Sequence, residues 1–271
     1  MENIIRFIHD RFSSDISIYD DSFLEKTINY RMVLASCPST NDYLTLLDKM
    51  PEEALLLIES FTNSYSEFFR NSLTFALLKQ IIFPKIFNEN EKLHSHQIRI
   101  WSAGCAAGQE AYSLAILAHD LISERHSNTS FRIFATDISS KQLEDARLGV
   151  YDVKTIQQTD MGFVNTYFTN KGQSYSISEK LKKYIDFSFY DLLDKETSAP
   201  PVSIFGGFDI IMCCNVLFYY KSAVQGLILN KLSRSLNVGG FLLTGEAEMA
   251  IVRKDINFRQ FSSPTGIFVK V

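Results

Sequence analysis

The chain has 271 residues, 46% of them hydrophobic with 22 Phe and 12 Tyr, which is enough for one large domain or for a small domain beside a medium one. Its formal net charge of -4 is spread along the chain with no long block of one sign, which excludes nucleic acid as the main partner, because neutralising phosphates takes concentrated Lys and Arg. No apolar run reaches the roughly 18 residues of a membrane span, and the start MENIIRFIHDRF has neither the basic opening nor the cleavage site of a signal peptide, so a cytoplasmic protein not inserted in a membrane is expected.

Apolar spacing predicts helices over Ile4–Phe12, Ser22–Ala35, Thr40–Asp48, Glu52–Glu59 and Glu67–Ile82, with Pro51 suited to a helix start and Pro84 following a helix end. The polar stretch NENEKLHSHQ, residues 88–97, reads as a linker, which leaves residues 1–87 as an all-helical amino-terminal domain. From residue 98 to 271 the rhythm becomes strand and helix in alternation. Strands are expected at Ile98–Ser102, Phe131–Thr136, Ile185–Phe189, Asp209–Cys213 and Gly240–Thr244, and helices at Gln109–Ile122, Lys141–Leu148 and Ala223–Leu236. That alternation implies an α/β fold with a doubly wound parallel sheet. Residues 151–184 break it with a polar stretch that suggests a small β-insert, and Ile256–Phe261 and Ile267–Val271 flank SSPTG as an antiparallel hairpin.

The cysteines, Cys37, Cys105, Cys213 and Cys214, form no C-x-x-C pair, so reduced thiols and no metal are expected. All five histidines lie at or before His126, which leaves the later half without a histidine base.

The first strand of the alternating region ends in a small-residue loop, Ala103-Gly104-Cys105-Ala106-Ala107-Gly108, with Glu110 just beyond. Small side chains let a ligand approach the backbone, and the next helix offers free N–H groups at its start. Asp137, at the end of the second strand, is expected at the same edge of the sheet, where a carboxylate can accept both hydroxyls of a ribose. Together these point to a nucleoside-bearing cofactor, with tight packing as the alternative for the loop and a helix-dipole partner as the alternative for Glu110. There is no G-x-G-x-x-G, and an acid in the first helical turn suits a cationic ligand better than a pyrophosphate. S-adenosylmethionine, with a ribose, an amino group and a sulfonium, fits that description.

Five stretches, SEFFRN (66–71), WSAGCAAGQEAYSLA, ATDISSKQLEDARLGVY, FDIIMCCNVLFYY (208–220) and GGFLLTGEAE (239–248), are similar in order and spacing to the CheR family of chemotaxis receptor methyltransferases. The resemblance runs nearly the length of the chain. It implies a class I methyltransferase-like fold and methyl transfer from S-adenosylmethionine, leaving S-adenosylhomocysteine, to glutamate side chains of a chemoreceptor's cytoplasmic region or a related signalling protein. It also implies site residues. Ser66 and Arg70 correspond to the hydroxyl and the arginine of a Thr-x-Phe-Phe-Arg motif, and Ser64 to another polar contact. Ala103, Gly104 and Glu110 fall on the cofactor loop and its acid, and Asp137 on the ribose-binding acid. Asp191 and Leu192 align with an adenosyl-contacting Asn-Leu pair, Cys214 and Asn215 with an Arg-Asn pair, and Tyr219 with the aromatic nearest the methyl; Arg70 and Tyr219 are the expected catalytic residues.

The chain departs from the family where Asp191 replaces asparagine, where Cys214 replaces arginine, and where Glu246-Ala247-Glu248 stands for His-Ser-Glu. The family's basic receptor-facing helix is here DDSFLEKTINYRMVLA, with three acids against Lys26 and Arg31. In some relatives the β-insert docks a receptor's tail peptide, which implies a possible peptide partner here. Two other readings compete: a catalytically weakened docking module in a signalling array, motivated by these departures, and a nicotinamide-dependent oxidoreductase, motivated by the loop and Asp137.

Overall fold

The computed structural model describes residues 1–62, 65–92, 97–126, 129–204 and 207–271. Its internal contacts divide the chain into two units, Met1–Ser64 with Val216–Gln225, and Tyr65–Asn215 with Gly226–Val271.

The first unit is built on α1 (Glu2–Phe12), α2 (Asp21–Leu34), α3 (Thr40–Lys49) and α4 (Pro51–Ser60). Short polar residues start two of these helices: the Asp20 side chain accepts from the backbone N–H of Ser22 and Phe23, and Ser39 accepts from that of Asp42. Pro51 occupies the start of α4, where its missing N–H costs nothing. Ile8, Ile28, Leu47 and Leu57 form the buried seam. Beside it Arg31 donates to both carboxylate oxygens of Glu53, at 3.1 and 2.6 Å, and the Tyr43 hydroxyl donates to the same acid at 2.8 Å.

The segment Val216–Gln225 packs into this helical unit. The Asp20 N–H donates to the Tyr219 carbonyl at 2.8 Å and the Lys221 N–H to that of Ile18 at 3.0 Å. Tyr220 stacks on Tyr19 with 5.2 Å between centroids, and Tyr219 lies 4.6 Å from Phe23.

The remaining elements follow in chain order: α5 (Ser72–Leu77), a π-helical turn (Leu78–Ile82), α6 (Phe83–Lys92), β1 (Gln97–Ala103), α7 (Gln109–Arg125), β2 (Ser130–Asp137), α8 (Ser140–Leu148), β3 (Val150–Asp152), α9 (Val153–Ile156), α10 (Met161–Tyr167), β4 (Phe168–Asn170), β5 (Ser174–Ile177), α11 (Glu179–Lys182), β6 (Ile185–Phe189), β7 (Phe208–Cys213), α12 (Ser222–Ser235), β8 (Leu236–Thr244), α13 (Met249–Val252), β9 (Phe258–Gln260) and β10 (Ile267–Lys270). The main sheet has seven strands in the order β6-β2-β1-β7-β8-β10-β9. From β6 to β8 every pairing is parallel, and β10 runs antiparallel to both of its neighbours. The chain moves outward from β1 through β2 to β6 and then returns to β7 and β8, so the strand order reverses between β1 and β7. Ile98, Ile100 and Trp101 in β1 are buried without alternation, as a strand covered on both faces requires. This is the expected doubly wound, class I methyltransferase-like sheet with its antiparallel carboxyl-terminal strands, and a helical unit comes before it.

The β-insert is a separate antiparallel sheet, β3-β5-β4, accompanied by α9, α10 and α11. Two expectations change. Helix was expected from Glu67, but residues 66–71 are irregular, because Phe69 and Asn71 hold φ of 53° and 64°, outside any right-handed helix. Asn71 instead caps α5, accepting from the Thr74 N–H at 3.2 Å. Helix also continues past Pro84 to Lys92, where a linker was expected, and the change of register falls at the π turn, whose last N–H runs from Phe83 to the Leu78 carbonyl. The contact boundary therefore falls at Ser64 rather than at residue 87, since Phe75, Leu78, Phe83 and Phe87 are buried in the same core as the sheet.

Candidate functional site

The parallel strands β6, β2, β1, β7 and β8 end along one edge, and the loops that leave them converge around the strand reversal. The loop after β1 is tied to β2. The N–H groups of Gly104 and Cys105 donate to the Thr136 carbonyl at 2.8 and 2.9 Å, and the Ala106 N–H, from a residue at φ 49°, donates to the Asp137 carboxylate at 2.8 Å. Gly108 ends the loop at φ 88°, where a Cβ would meet that of Ala146 at 2.9 Å; only glycine lets α7 start this close to α8.

Asp137 is buried and also accepts from the Ser139 N–H at 2.9 Å. Burial pushes its carboxyl above the ordinary carboxylate range, against the opposing effect of these backbone donors. A carboxylate has roughly four lone-pair sites, so the turn does not exhaust it.

Glu110, in the first turn of α7, accepts from the Ser102 hydroxyl at 2.6 Å. Burial pushes its carboxyl up to about 8, opposed by the Ser102 bond, reinforced by the charge of Glu248 and relieved by that of Arg70. An acid held this far from its ordinary state is prepared to meet a cation. Next to it the buried Gln109 Oε1 has no hydrogen-bond partner among the described residues.

Arg70 is brought in by the irregular stretch. Phe68 is fully buried with its ring edge-on to Tyr151 at 4.9 Å, and Phe69 stacks on Phe163 at 5.6 Å while its N–H donates to Ser113 at 3.0 Å. Arg70 donates to the Tyr65 carbonyl at 3.1 Å and lies 5.8 Å over that residue's ring. Among the described residues it forms no ion pair, so its fork is available for a carboxylate. Its charge is felt at both Glu110 and Cys214, which brings the three into one neighbourhood.

After β7, the Cys214 thiol points to the Leu243 carbonyl at 3.7 Å, with its ionisation suppressed first by burial and then by Glu110 and Glu248. Asn215 follows at φ 62°. Sequence reading singled out Glu248 only as part of a departure from the family, yet it is the fully buried acid of this edge: its Oε2 accepts from the N–H groups of Asn215 at 2.9 Å and Gly245 at 2.8 Å. The Gly245 contact is local, a capping-box pair three residues apart, whereas the Asn215 contact spans 33 positions and exists only in the folded sheet.

The other expected positions lie differently. Asp191 accepts from its own turn's Leu193 N–H at 2.8 Å, and Leu192 is buried beside it. Ser66 is half-buried ahead of Phe68, and Ser64 lies outside the described residues. Tyr219 belongs to the first unit, where its ring packs against Phe23 and Phe218. Ala103 ends β1, fully buried.

Two family descriptions match the chain: "CheR methyltransferase, all-alpha domain" over residues 1–62 and "CheR methyltransferase, SAM binding domain" over residues 64–267. A chemotaxis protein methyltransferase of Borreliella burgdorferi is 27% identical over 262 residues, covering 95% of this chain and 90% of that protein. One from Listeria monocytogenes is 29% identical over 88% of this chain and 85% of its own length, and one from Vibrio parahaemolyticus 30% identical over 81% and 77%. The cofactor of such a domain is S-adenosylmethionine. The residues present fit it: a half-buried acid awaiting a cation, a buried acid with lone pairs to spare at the end of β2, and an unpartnered amide oxygen between loop and helix.

Proposed function

This chain belongs to the CheR methyltransferase family, and on that premise we propose that it forms methyl esters on glutamate side chains of a chemoreceptor's cytoplasmic region or a related signalling protein, acting in the cytoplasm. Among the described residues no helix is long and apolar enough to cross a membrane. The observation that carries the reading is the placement of two acids against the loop between β1 and α7, Asp137 bonded to its Ala106 N–H and Glu110 just beyond its end.

In this reading Asp137 takes the ribose hydroxyls and Glu110 the cationic amino end, while Ala103 and Gly104 leave room for the ligand to lie on the backbone. Bound there, S-adenosylmethionine supplies an electrophilic methyl on sulfur. The acceptor glutamate has an ordinary pKa of about 4.3, so it arrives charged and needs no general base. That agrees with a later half without histidine. The chain's task is alignment and exclusion of water, and holding reactants in a near-attack arrangement is worth roughly 7–11 kcal/mol in favourable cases. Arg70 offers a forked donor to one carboxylate, that of the cofactor or of the acceptor. Asn215, Leu192 and Ser66 are assigned to the cofactor's surroundings, and Tyr219 keeps the methyl-proximal role that the resemblance gives it.

Titration calorimetry with S-adenosylhomocysteine tests the site. The native chain should bind at micromolar concentration or tighter, and Asp137→Ala should weaken binding by at least about tenfold, the scale of one lost charge-assisted hydrogen bond. Transfer of radiolabelled methyl to a receptor fragment, released as methanol by alkali, tests the acceptor chemistry. A folded chain that binds no S-adenosylhomocysteine would overturn the reading, and binding without transfer to any carboxylate would favour a docking module that has kept the cofactor fold.

A further inference from the structure

Resting on that cofactor site, we propose that Glu248 is a positioning residue for it, acting through Asn215 and Glu110 without itself touching the ligand. Three observations meet at this side chain. It is completely buried just past β8, yet one carboxylate oxygen joins two strand ends, taking the N–H of Asn215 at 2.9 Å and of Gly245 at 2.8 Å. Asn215 sits in the left-handed region at φ 62°, which asparagine accepts more readily than most residues, and the Glu248 carboxylate holds its N–H in that turn. The packing is also closed: a Cβ on Gly245 would lie 3.0 Å from both the Asn215 Nδ2 and the Glu248 Oε2. The carboxylate therefore sets the course of the chain where β7 hands over to the segment after it.

Its second effect is through charge. After burial, the charge of Glu248 raises Glu110 while that of Arg70 lowers it, and the Cys213 and Cys214 thiols are held neutral by burial. Repulsion from Glu248 favours a protonated Glu110 in the free protein. A cationic ligand end reverses that preference, so binding near neutral pH releases the Glu110 proton. Affinity for S-adenosylhomocysteine then rises with pH up to about 8 and levels off above it. The family's arginine would neutralise such a pair of acids; with Cys214 in its place, the balance falls on the proton.

Two variants separate geometry from charge. Glu248→Gln keeps an oxygen for both N–H groups and removes the charge; Glu248→Asp keeps the charge and withdraws the oxygen. Calorimetric titration with S-adenosylhomocysteine across about pH 6–9, in buffers of different ionisation enthalpy, reads affinity and protons released together. For Glu248→Gln we expect the midpoint of the affinity profile to move down by about one pH unit, with fewer protons released at neutral pH. Glu248→Asp should leave the midpoint in place and weaken binding by about tenfold or more at every pH. Unchanged midpoints and affinities in both variants overturn the proposal, as does a uniform loss in Glu248→Gln without a shift, which is what a merely structural residue would give. Failure of the native chain to bind at all is a different result and removes the cofactor site itself.

Discussion

At the scale of single residues, the charge state of Glu110 makes the stability of the free chain depend on pH. Burial raises its carboxyl to about 8 from an ordinary 4.5, and burial moves Asp137 in the same direction. As pH rises between these two values the unfolded chain gives up the Glu110 proton while the folded chain keeps it. The group's contribution to stability is complete below about 4.5 and is lost as pH rises through about 8. Glu110→Gln removes this slope. Its melting temperature should match the native chain's near pH 5, exceed it progressively, and show the full gain above pH 8. A constant difference at all pH values would mean that packing alone changed. Glu110 and Asp137 were legible in the sequence because a strand, a small-residue loop and a helix start are local features. Asp191, which aligns with a ligand contact, accepts from its own turn as Asp137 does. Glu248 was illegible as a site residue because its partner Asn215 is 33 positions away.

At the scale of elements, periodicity recovered α1 to α4 to within two residues and the parallel strands nearly as well, because each buries one stripe or a continuous run. It failed at residues 66–71, where Phe68 and Phe69 extend the apolar pattern of the helix that follows but bury in different places, one against Tyr151 and the other against Phe163. It also could not show that α2, α3 and α4 are joined by a buried ion pair. Arg31 and Glu53 are 13% and 11% exposed, and the Tyr43 hydroxyl completes the acid's bonding. Glu53→Gln leaves the guanidinium buried without a counter-charge and should cost roughly 3–5 kcal/mol, read from the helical signal in urea unfolding. Replacing both partners by methionine should recover most of that loss, because desolvating two charges offsets much of what their attraction returns. If the double variant is as unstable as the single one, the network rather than the unpaired charge carries the energy.

At the scale of the whole molecule, one departure concerns α2, the helix that the resemblance sets against an acidic receptor segment. The arginine of α2 is bound to Glu53 inside its own unit, and Asp21 is paired at 3.0 Å with Lys221. Of the helix's charges this leaves Glu25 and Lys26 exposed and without an ion pair among the described residues, so α2 offers an acidic receptor segment almost no cationic field. Its outward residues are instead Tyr30, Val33 and Leu34, at successive positions on one helical face. An interface steered by opposite charges loses affinity steeply as salt shortens the Debye length from about 30 Å at 0.01 M to about 8 Å at 0.15 M. A receptor fragment docked on α2 should therefore be methylated with a KM that changes by less than about twofold over that range, while kcat stays constant. A KM that climbs about tenfold with salt would show that a basic surface elsewhere on the chain recruits the acceptor. In that case Tyr30→Ser and Val33→Ser would leave KM unchanged. If α2 is the docking face, both substitutions raise KM at every salt concentration, because apolar burial is what the helix has to offer.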